Sequence, residues 1–448
     1  MIPRTRLLVW SAAWLLPLAG VAAAVPALAP AAYGLAALAM LVPVFDAVRA
    51  GRSVEGLSLE APERVRLTKG APGTVSVRVR DAQGRTRRVR VGVPLPENLG
   101  CDAPEATVRL TPDAPAASVE LNCLPVRRGR HDLTRGFLGA PSPMGFWLKR
   151  REVELPGEVR VYPSLAPERR RLSALFLTRG SLGIHAQRQI GQGREFEKLR
   201  DYVPGDNYGD IHWKATAKRH RPATKVFQIE RTQEVYVALD ASRLSARVPE
   251  GDGATGAGAP PTMLERFVTA AMVLGMVAER QGDLFGVLSF ADRVEQFVRA
   301  KGGKAHYSAC RDALYALQPR AVTPDFSELF TFLRLHLRRR ALLVFLMGLD
   351  DAILAESFVE NVSLIARQHL VLVNMIQPPG VRPVFSDPAA GDVNDVYRDL
   401  SGHVQWRRLR EVEKSLRRRG VNFHVVENAS FCPHLVTQYV SVKRRQLL

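Results

Sequence analysis

From Leu7 to Phe45 the chain carries no charged residue. A run of 39 such residues is long enough for two helices of about 20 residues each across a hydrocarbon layer of about 30 Å. Pro26 and Pro30 divide the run, and proline is disfavoured inside a helix. The expected spans are Leu7 to Val25, with Trp10 and Trp14, and Ala31 to Val48, with Tyr33 as an interfacial anchor. A cleaved leader is the competing reading, with Arg4 and Arg6 ahead of the apolar run and Ala27-Leu28-Ala29 as a small-residue cleavage site. The apolar stretch exceeds the roughly 7–15 residues of a leader's core, which favours the hairpin. Arg4 and Arg6 precede the first span, Arg49 and Arg52 follow the second, and the turn between holds no Lys or Arg. Positive charge collects on the cytoplasmic side, so both ends and everything after residue 50 are expected there.

At 448 residues the chain is too long for one core and calls for two or three domains. A hydrophobic share of 46% is enough for the bulk of it to fold. The formal net charge of +19 favours anionic partners: nucleic acid, acidic proteins or an anionic leaflet. A basic protein binding nucleic acid or anionic lipid is therefore the alternative functional reading. Against it, the clusters at Arg169–Arg171, Arg338–Arg340, Arg417–Arg419 and Lys443–Arg445 are scattered, and no recognition-helix or RNP-like motif accompanies them. Four cysteines (Cys101, Cys123, Cys310, Cys432) stand too far apart for a zinc or redox motif. In a reducing compartment Cys101 and Cys123 are two thiols; an oxidising one would allow a bridge.

Residues 53–165 read as short strands. Val75 to Arg80 and Arg88 to Val93 alternate apolar and polar, with Asp81-Ala82-Gln83-Gly84 between them as a hairpin turn. Thr107 to Leu110, Ser118 to Leu121 and Glu152 to Tyr162 continue the pattern, and a small antiparallel β-sandwich is the simplest solution. Residues 233–448 instead alternate apolar strands with helical segments. Strands are expected at 235–239, 284–290, 341–346, 370–375 and 421–426, with a short antiparallel edge strand at 295–298. This is the pattern of an α/β domain with a mostly parallel sheet covered on both faces. Ligands of such sheets sit beyond the carboxyl ends of the strands. The stretch from Pro249 to Pro261 is Gly/Pro-rich and reads as a loop.

Between these regions, residues 166–232 contain a dense signature: Gly193-Arg194-Glu195-Phe196, Leu199-Arg200-Asp201-Tyr202-Val203-Pro204-Gly205-Asp206 and Ile211-His212-Trp213-Lys214-Ala215-Thr216-Ala217-Lys218. Followed by a strand that ends in an acid, Val235-Tyr236-Val237-Ala238-Leu239-Asp240, it resembles the bacterial domain-of-unknown-function 58 family. These are membrane-attached proteins with a von Willebrand factor A-like domain. The segments Pro125 to His131 and Ser142 to Trp147 resemble the family as well. The sequence departs from it at Gly209, where members often carry Arg, and at His212, where they often carry Asp.

The resemblance implies residues 1–52 as a transmembrane hairpin, 53–165 as the β-sandwich, 166–232 as the signature segment and 233–448 as a doubly wound von Willebrand factor A-like domain. It also implies a two-pass protein of a bacterial inner membrane. In such domains the first strand delivers Asp-x-Ser-x-Ser to the sheet edge, and later loops add Thr and Asp, so that oxygen donors hold Mg²⁺. Here Asp240 and Ser242 fit, Leu244 replaces the second Ser, Ser245 is displaced by one, Thr323 or Asp325 stands in the second loop, and Asp350 lies two residues late. The expected, degenerate metal site is Asp240, Ser242 and Asp325; the alternative is that these residues cap or line polar loops. In the signature, Glu195, Arg200, Asp201, Asp206 and Lys214 are expected to form a charge network, or else a partner surface carried by Arg200, Asp206 and Lys214. Tyr202 and Trp213 are expected to be packed aromatics.

Relatives of this kind are commonly encoded beside MoxR-type AAA+ ATPases. The implied role is a scaffold or adaptor in the assembly or maturation of other proteins, without catalysis of its own. Neither a P-loop nor a dinucleotide-binding fingerprint is found, and His306, Cys310 and Asp312 match no nucleophile arrangement.

Overall fold

The computed structural model describes residues 1–448 except 85–86, 103–104, 180–189, 205, 229–232, 250–259, 385, 387–392 and 446–448; of residues 174–179, 190–198, 219 and 226–228 it describes only the backbone. It divides into two compact units, Met1–Ser164 and Leu165–Leu448.

The first unit begins with β1 (Ile2–Pro3), followed by α1 (Thr5–Ala24) and α2 (Ala29–Arg49). Both helices are long and apolar enough to cross a membrane. They leave Leu8, Val9, Leu16, Leu38 and Val48 exposed, the face that a hydrocarbon layer would cover. Pro26 opens a 3₁₀ turn, Pro26–Leu28, between them. Eight strands follow: β2 (Leu57–Glu60), β3 (Arg64–Thr68), β4 (Gly73–Asp81), β5 (Arg87–Gly92), β6 (Glu105–Leu110), β7 (Ala116–Cys123), β8 (Gly129–Pro141) and β9 (Trp147–Tyr162). One sheet runs β1-β9-β8-β5-β6 with β3 also on β9, the other β2-β4-β7. Alternation places Val75, Val77 and Val79 of β4, Val89 and Val91 of β5, and Val159 and Val161 of β9 in one core between the sheets.

Two details differ from the expected sandwich. Asp81 to Gly84 is no hairpin turn, because β4 and β5 lie in different sheets. The Asp81 carboxylate is buried and accepts from the Gln83 amide at 3.0 Å and from Arg87 Nε and Nη2 at 2.7 and 2.5 Å. This carboxylate–guanidinium pair carries the chain across from one sheet to the other. In addition, β3 pairs with β9 in parallel, since the chain changes sheets between β2 and β3. Cys101 faces Cys123 in an isolated antiparallel bridge with both thiols free. Burial, then the neighbouring Cys101, pushes the Cys123 thiol up to about 12.

The hairpin and the sandwich are joined within this unit. Asp46, buried near the end of α2, accepts from the Ser142 hydroxyl at 2.5 Å and from the amides of Met144 and Phe146 at 3.0 and 3.3 Å. Trp147 Nε1 donates to the Pro43 carbonyl at 2.7 Å, and Trp10 of α1 meets Phe146 with ring centroids 5.5 Å apart. At the same end of the hairpin, β1 pairs with Trp147 and Leu148 of β9.

The second unit comprises α3 (Ala166–Arg179), β10 (Ile190–Asp201), α4 (Trp213–Arg219), β11 (Ala223–Gln228), β12 (Glu234–Asp240), α5 (Met263–Arg280), β13 (Leu284–Phe290), β14 (Val294–Lys301), α6 (Lys304–Leu314), α7 (Phe326–His336), β15 (Leu342–Leu346), α8 (Ala352–Asn361), α9 (Ser363–Ala366), β16 (Leu370–Ile376), α10 (Val393–Arg418), β17 (Asn422–Val426) and α11 (Phe431–Arg444). It is a mixed α/β unit. Its main sheet runs β14-β13-β12-β15-β16-β17; the inner pairings are parallel and β14 is antiparallel on β13.

Both faces of the central strand are apolar, so each needs cover. Val235, Val237 and Leu239 share a core with α5, α6 and α11. Tyr236 and Ala238 share another with α7, α8, α9 and α10. Gly275 lets α5 close on the sheet: a Cβ there would stand 2.5 Å from the Phe285 ring. At the edge where β13 begins, Asp283 accepts from the Gln233 amide, the Tyr439 hydroxyl and Lys443 Nζ, the last at 2.8 Å, which ties α11 to that end of the sheet. The Gly/Pro-rich stretch between Pro249 and Pro261 lies mostly outside the described residues.

Candidate functional site

The carboxyl end of β12 delivers Asp240 and Ser242 to the sheet rim, both fully buried. Asp240 Oδ1 accepts the Ser242 amide at 2.8 Å. Ser242 in turn caps the 3₁₀ turn Arg243–Ala246, its Oγ accepting the Leu244 amide. Two backbone bonds seat the neighbouring loop against this one: Arg243 donates to the Val322 carbonyl and Arg320 to the Ala241 carbonyl, at 3.0 and 2.7 Å.

A group that no sequence motif marks dominates the rim. Arg247 reaches Asp350 with two hydrogen bonds, Nη1 to Oδ2 at 2.5 Å and Nη2 to Oδ1 at 2.8 Å. Burial raises the Asp350 carboxyl, but the Arg247 bonds and charge outweigh it and hold it below its usual value. Burial pushes Asp240 up to about 6, against the pull of Ser242 and of the Arg247 charge. Asp350, expected two residues late as a ligand, is thus the anchor of a guanidinium.

These residues do not fit a Mg²⁺ site. Asp240 Oδ2 is buried without a hydrogen-bond partner, which a cation would satisfy, but the remaining donors are committed. Asp325 is exposed and caps α7, its Oδ1 accepting the Glu328 amide at 3.1 Å. Thr323 is exposed, and Leu244 is buried at the position of the missing hydroxyl. Among the described residues no group of three or more His, Cys, Asp or Glu is placed to hold a metal ion. The expected set Asp240, Ser242 and Asp325 is replaced at the rim by a positive charge of the chain's own, Arg247, beside two acids. A hard dication needs about six oxygen donors and is repelled by a guanidinium.

The described part of the signature is an arm. Strands β10 and β11 pair antiparallel, and a 3₁₀ turn, Tyr208–Asp210, and α4 lie in the chain that connects them. Arg200 Nη2 donates to Asp206 Oδ1 at 2.6 Å, and Asp206 Oδ2 accepts the Val203 amide at 3.1 Å. That backbone bond, with Arg200, holds the Asp206 carboxyl low. The structure therefore brings Arg200 and Asp206 together. Lys214 stands exposed on α4, outside that pair. The side chains of Gly193 to Phe196, Glu195 among them, and the whole of Gly205 lie outside the described residues.

His212 takes the capping role: its Nδ1 accepts the Ala215 amide at 3.0 Å at the start of α4. This is the cap an aspartate would supply, and it accounts for the exchange at that position. Tyr202 pairs with Tyr208 at 6.0 Å between ring centroids. Trp213 is 68% exposed and Tyr208 74%. The expectation that Trp213 packs inside is corrected. It occupies the first turn of a seven-residue helix that is tied to β11 through Thr216, whose Oγ1 accepts the Ala223 amide at 3.0 Å, and its ring faces outward.

His306 and Cys310 share a face of α6, 3.5 Å apart, and His306 Nε2 contacts the Phe285 carbonyl. Burial pushes the Cys310 thiol up to about 12, so it is held protonated.

Similar solved structures include the conserved hypothetical protein BatB from Bacteroides thetaiotaomicron, at 18% identity, covering 48% of this chain and 99% of that one, with a TM-score of 0.30. An aerotolerance-related membrane protein from Bacteroides fragilis NCTC 9343 matches at 17% identity, over 47% and 98%, with a TM-score of 0.29. The SpRpn10 VWA domain matches at 11% identity, over 46% and 95%, with a TM-score of 0.28. No curated protein matches this chain. Residues 198–396, which begin within the signature and run through the rim to the start of α10, match the model of the family described as "Protein of unknown function DUF58", and the family resemblance read from the sequence is shown over that part of the chain.

Proposed function

We propose that this chain is a membrane-anchored scaffold that recognises another protein through the signature arm and the sheet rim of its second unit. The second unit, in this reading, is a doubly wound von Willebrand factor A-like domain. The partner is a MoxR-type AAA+ ATPase, which supplies the work of assembling or maturing other proteins, and the chain itself catalyses nothing. The observation that carries the proposal is the outward presentation of Trp213 and Tyr208 beside Lys214 on a family-specific segment. Exposed aromatics rimmed by charge are typical anchors of protein interfaces. A rim neutralised from within by Arg247 suits recognition without metal.

The hairpin is read as two spans of a bacterial inner membrane, with both ends of the chain, the sandwich and the second unit in the cytoplasm. The excess of Arg at the two outer ends supports that orientation. Gentle crosslinking in native membranes followed by purification of the chain tests the proposal. A MoxR-type ATPase should be recovered with the wild type and be strongly depleted with Trp213→Ala; its absence from both would refute the partnership. A reporter active only after export, fused at residue 448, should stay silent.

A further inference from the structure

Within the first unit a cavity of about 1030 Å³ opens where the hairpin meets the sandwich. Arg4 and Arg6 line it from the start of α1, Arg49 from the end of α2, Arg52 from the turn that follows, and Arg88 and Arg90 from β5; among the described residues no acidic side chain lines it. Strand alternation explains the β5 contribution. Val89 and Val91 point into the sandwich core, so Arg88 and Arg90 point out.

The charges of this cavity are only partly used. Arg87, also in the lining, is committed to Asp81 and to the Ser53 and Glu55 carbonyls. Arg90 stands 3.7 Å from Glu105, a surface pair, and Arg49 stacks over Phe45. Arg4, Arg6, Arg52 and Arg88 have no carboxylate partner among the described residues. So many guanidinium groups around one volume repel one another unless an anion fills it. Guanidinium forks match phosphate oxygens in geometry as well as charge.

The level of the cavity selects the anion's source. Arg4, Arg6, Arg49 and Arg52 flank the ends of both candidate spans, and Asp46 with Ser142 fixes α2 to the sandwich on the same side. On the reading that the hairpin spans a membrane, on which this inference rests, the cavity lies at the headgroup level of the leaflet. We propose that it binds the phosphate headgroup of an anionic lipid, seating the sandwich against the membrane surface. Basic pockets at this level are suited to such headgroups.

The test uses the full chain purified in mild detergent, titrated with phosphatidylglycerol or phosphatidylcholine and read by native mass spectrometry. Phosphatidylglycerol should be retained about tenfold or more over phosphatidylcholine. Arg88→Gln with Arg90→Gln should lower that retention by about tenfold or more, and the Lys pair at the same positions, which keeps the charge without the fork, should restore part of it. These two residues are exposed on a strand and do not flank the spans, so neither folding nor topology depends on them; thermal unfolding coinciding with the wild type confirms the first. Equal retention of the two lipids, or no change in the Gln variant, overturns the proposal. Displacement of the lipid by millimolar inorganic phosphate or by an oligonucleotide overturns it too, reassigning the cavity to a soluble anion. Failure of the membrane reading would show separately, as release of the wild type from membranes by alkaline carbonate.

Discussion

The Asp46 carboxylate accepts the Ser142 hydroxyl at 2.5 Å, across 96 residues of sequence. One acid at the end of an apolar helix thereby satisfies a loop of the sandwich, taking the Met144 and Phe146 amides as well. The family-like segment from Ser142 to Trp147 is thus the part of the sandwich that receives the hairpin.

Replacing Asp46 with Ala leaves one hydroxyl and two amides of that loop without their acceptor. The expected cost is about 2–4 kcal/mol of first-unit stability, from unsatisfied buried donors. Thermal unfolding and limited proteolysis of the full chain in detergent would measure it. Cleavage between residues 142 and 147 should accelerate in Asp46→Ala and less so in Asp46→Asn, which keeps one acceptor oxygen.

At the rim, Asp240 titrates near 6 rather than at its ordinary 3.8 because burial disfavours its charge. Between those values the folded chain holds a proton that the unfolded chain has released. Stability therefore falls as pH rises through that window and is flat above it. Asp240→Asn removes the titration and keeps an oxygen for the Ser242 amide. It should be more stable than the wild type by about 1–3 kcal/mol at pH 7, and the gain should vanish below about pH 4. Denaturant midpoints at pH 4, 5, 6 and 7 would show this; a pH-independent difference would contradict it.

Loss of Arg247 removes the positive charge that buried Asp240 and half-buried Asp350 share. Arg247→Ala should destabilise the second unit by about 1–3 kcal/mol, discounted for the partial exposure of the guanidinium. Since Arg247 takes the place of a dication, calorimetric titration of the wild type with Mg²⁺ or Mn²⁺ should give heat indistinguishable from Asp240→Ala. Saturable uptake by the wild type alone would contradict the rim as described.

His212→Asp should strengthen the cap of α4 by about 0.5–1 kcal/mol, because a carboxylate accepts the Ala215 amide more strongly than an imidazole. Hydrogen exchange of the α4 amides would report it directly, with slower exchange in the variant.

Much of the second unit's strand placement was legible because each strand is a short apolar run bounded by polar turns. Val235 to Leu239 and Leu284 to Phe290 fall on β12 and β13. The hairpin was legible from its missing charges alone. What escaped are relations between distant residues. Nothing local in Asp81 to Gly84 distinguishes a hairpin turn from a crossover between sheets; only the Arg87 partner does. Asp46 stands out in the sequence as the first charge after the apolar run, yet its three partners lie about a hundred residues on. Arg247 follows Asp240 by seven residues and lacks any motif. A pattern of oxygen ligands does not point to it, because the chain solves the charge problem at the rim with its own cation.

The most direct test of the scaffold reading is a photo-crosslinking amino acid placed at position 213, on the exposed side of α4, with position 335 as an equally exposed control on α7. In native membranes position 213 should yield an adduct with a MoxR-type ATPase and position 335 none. No such adduct from 213, or equal adducts from both, would contradict the scaffold reading.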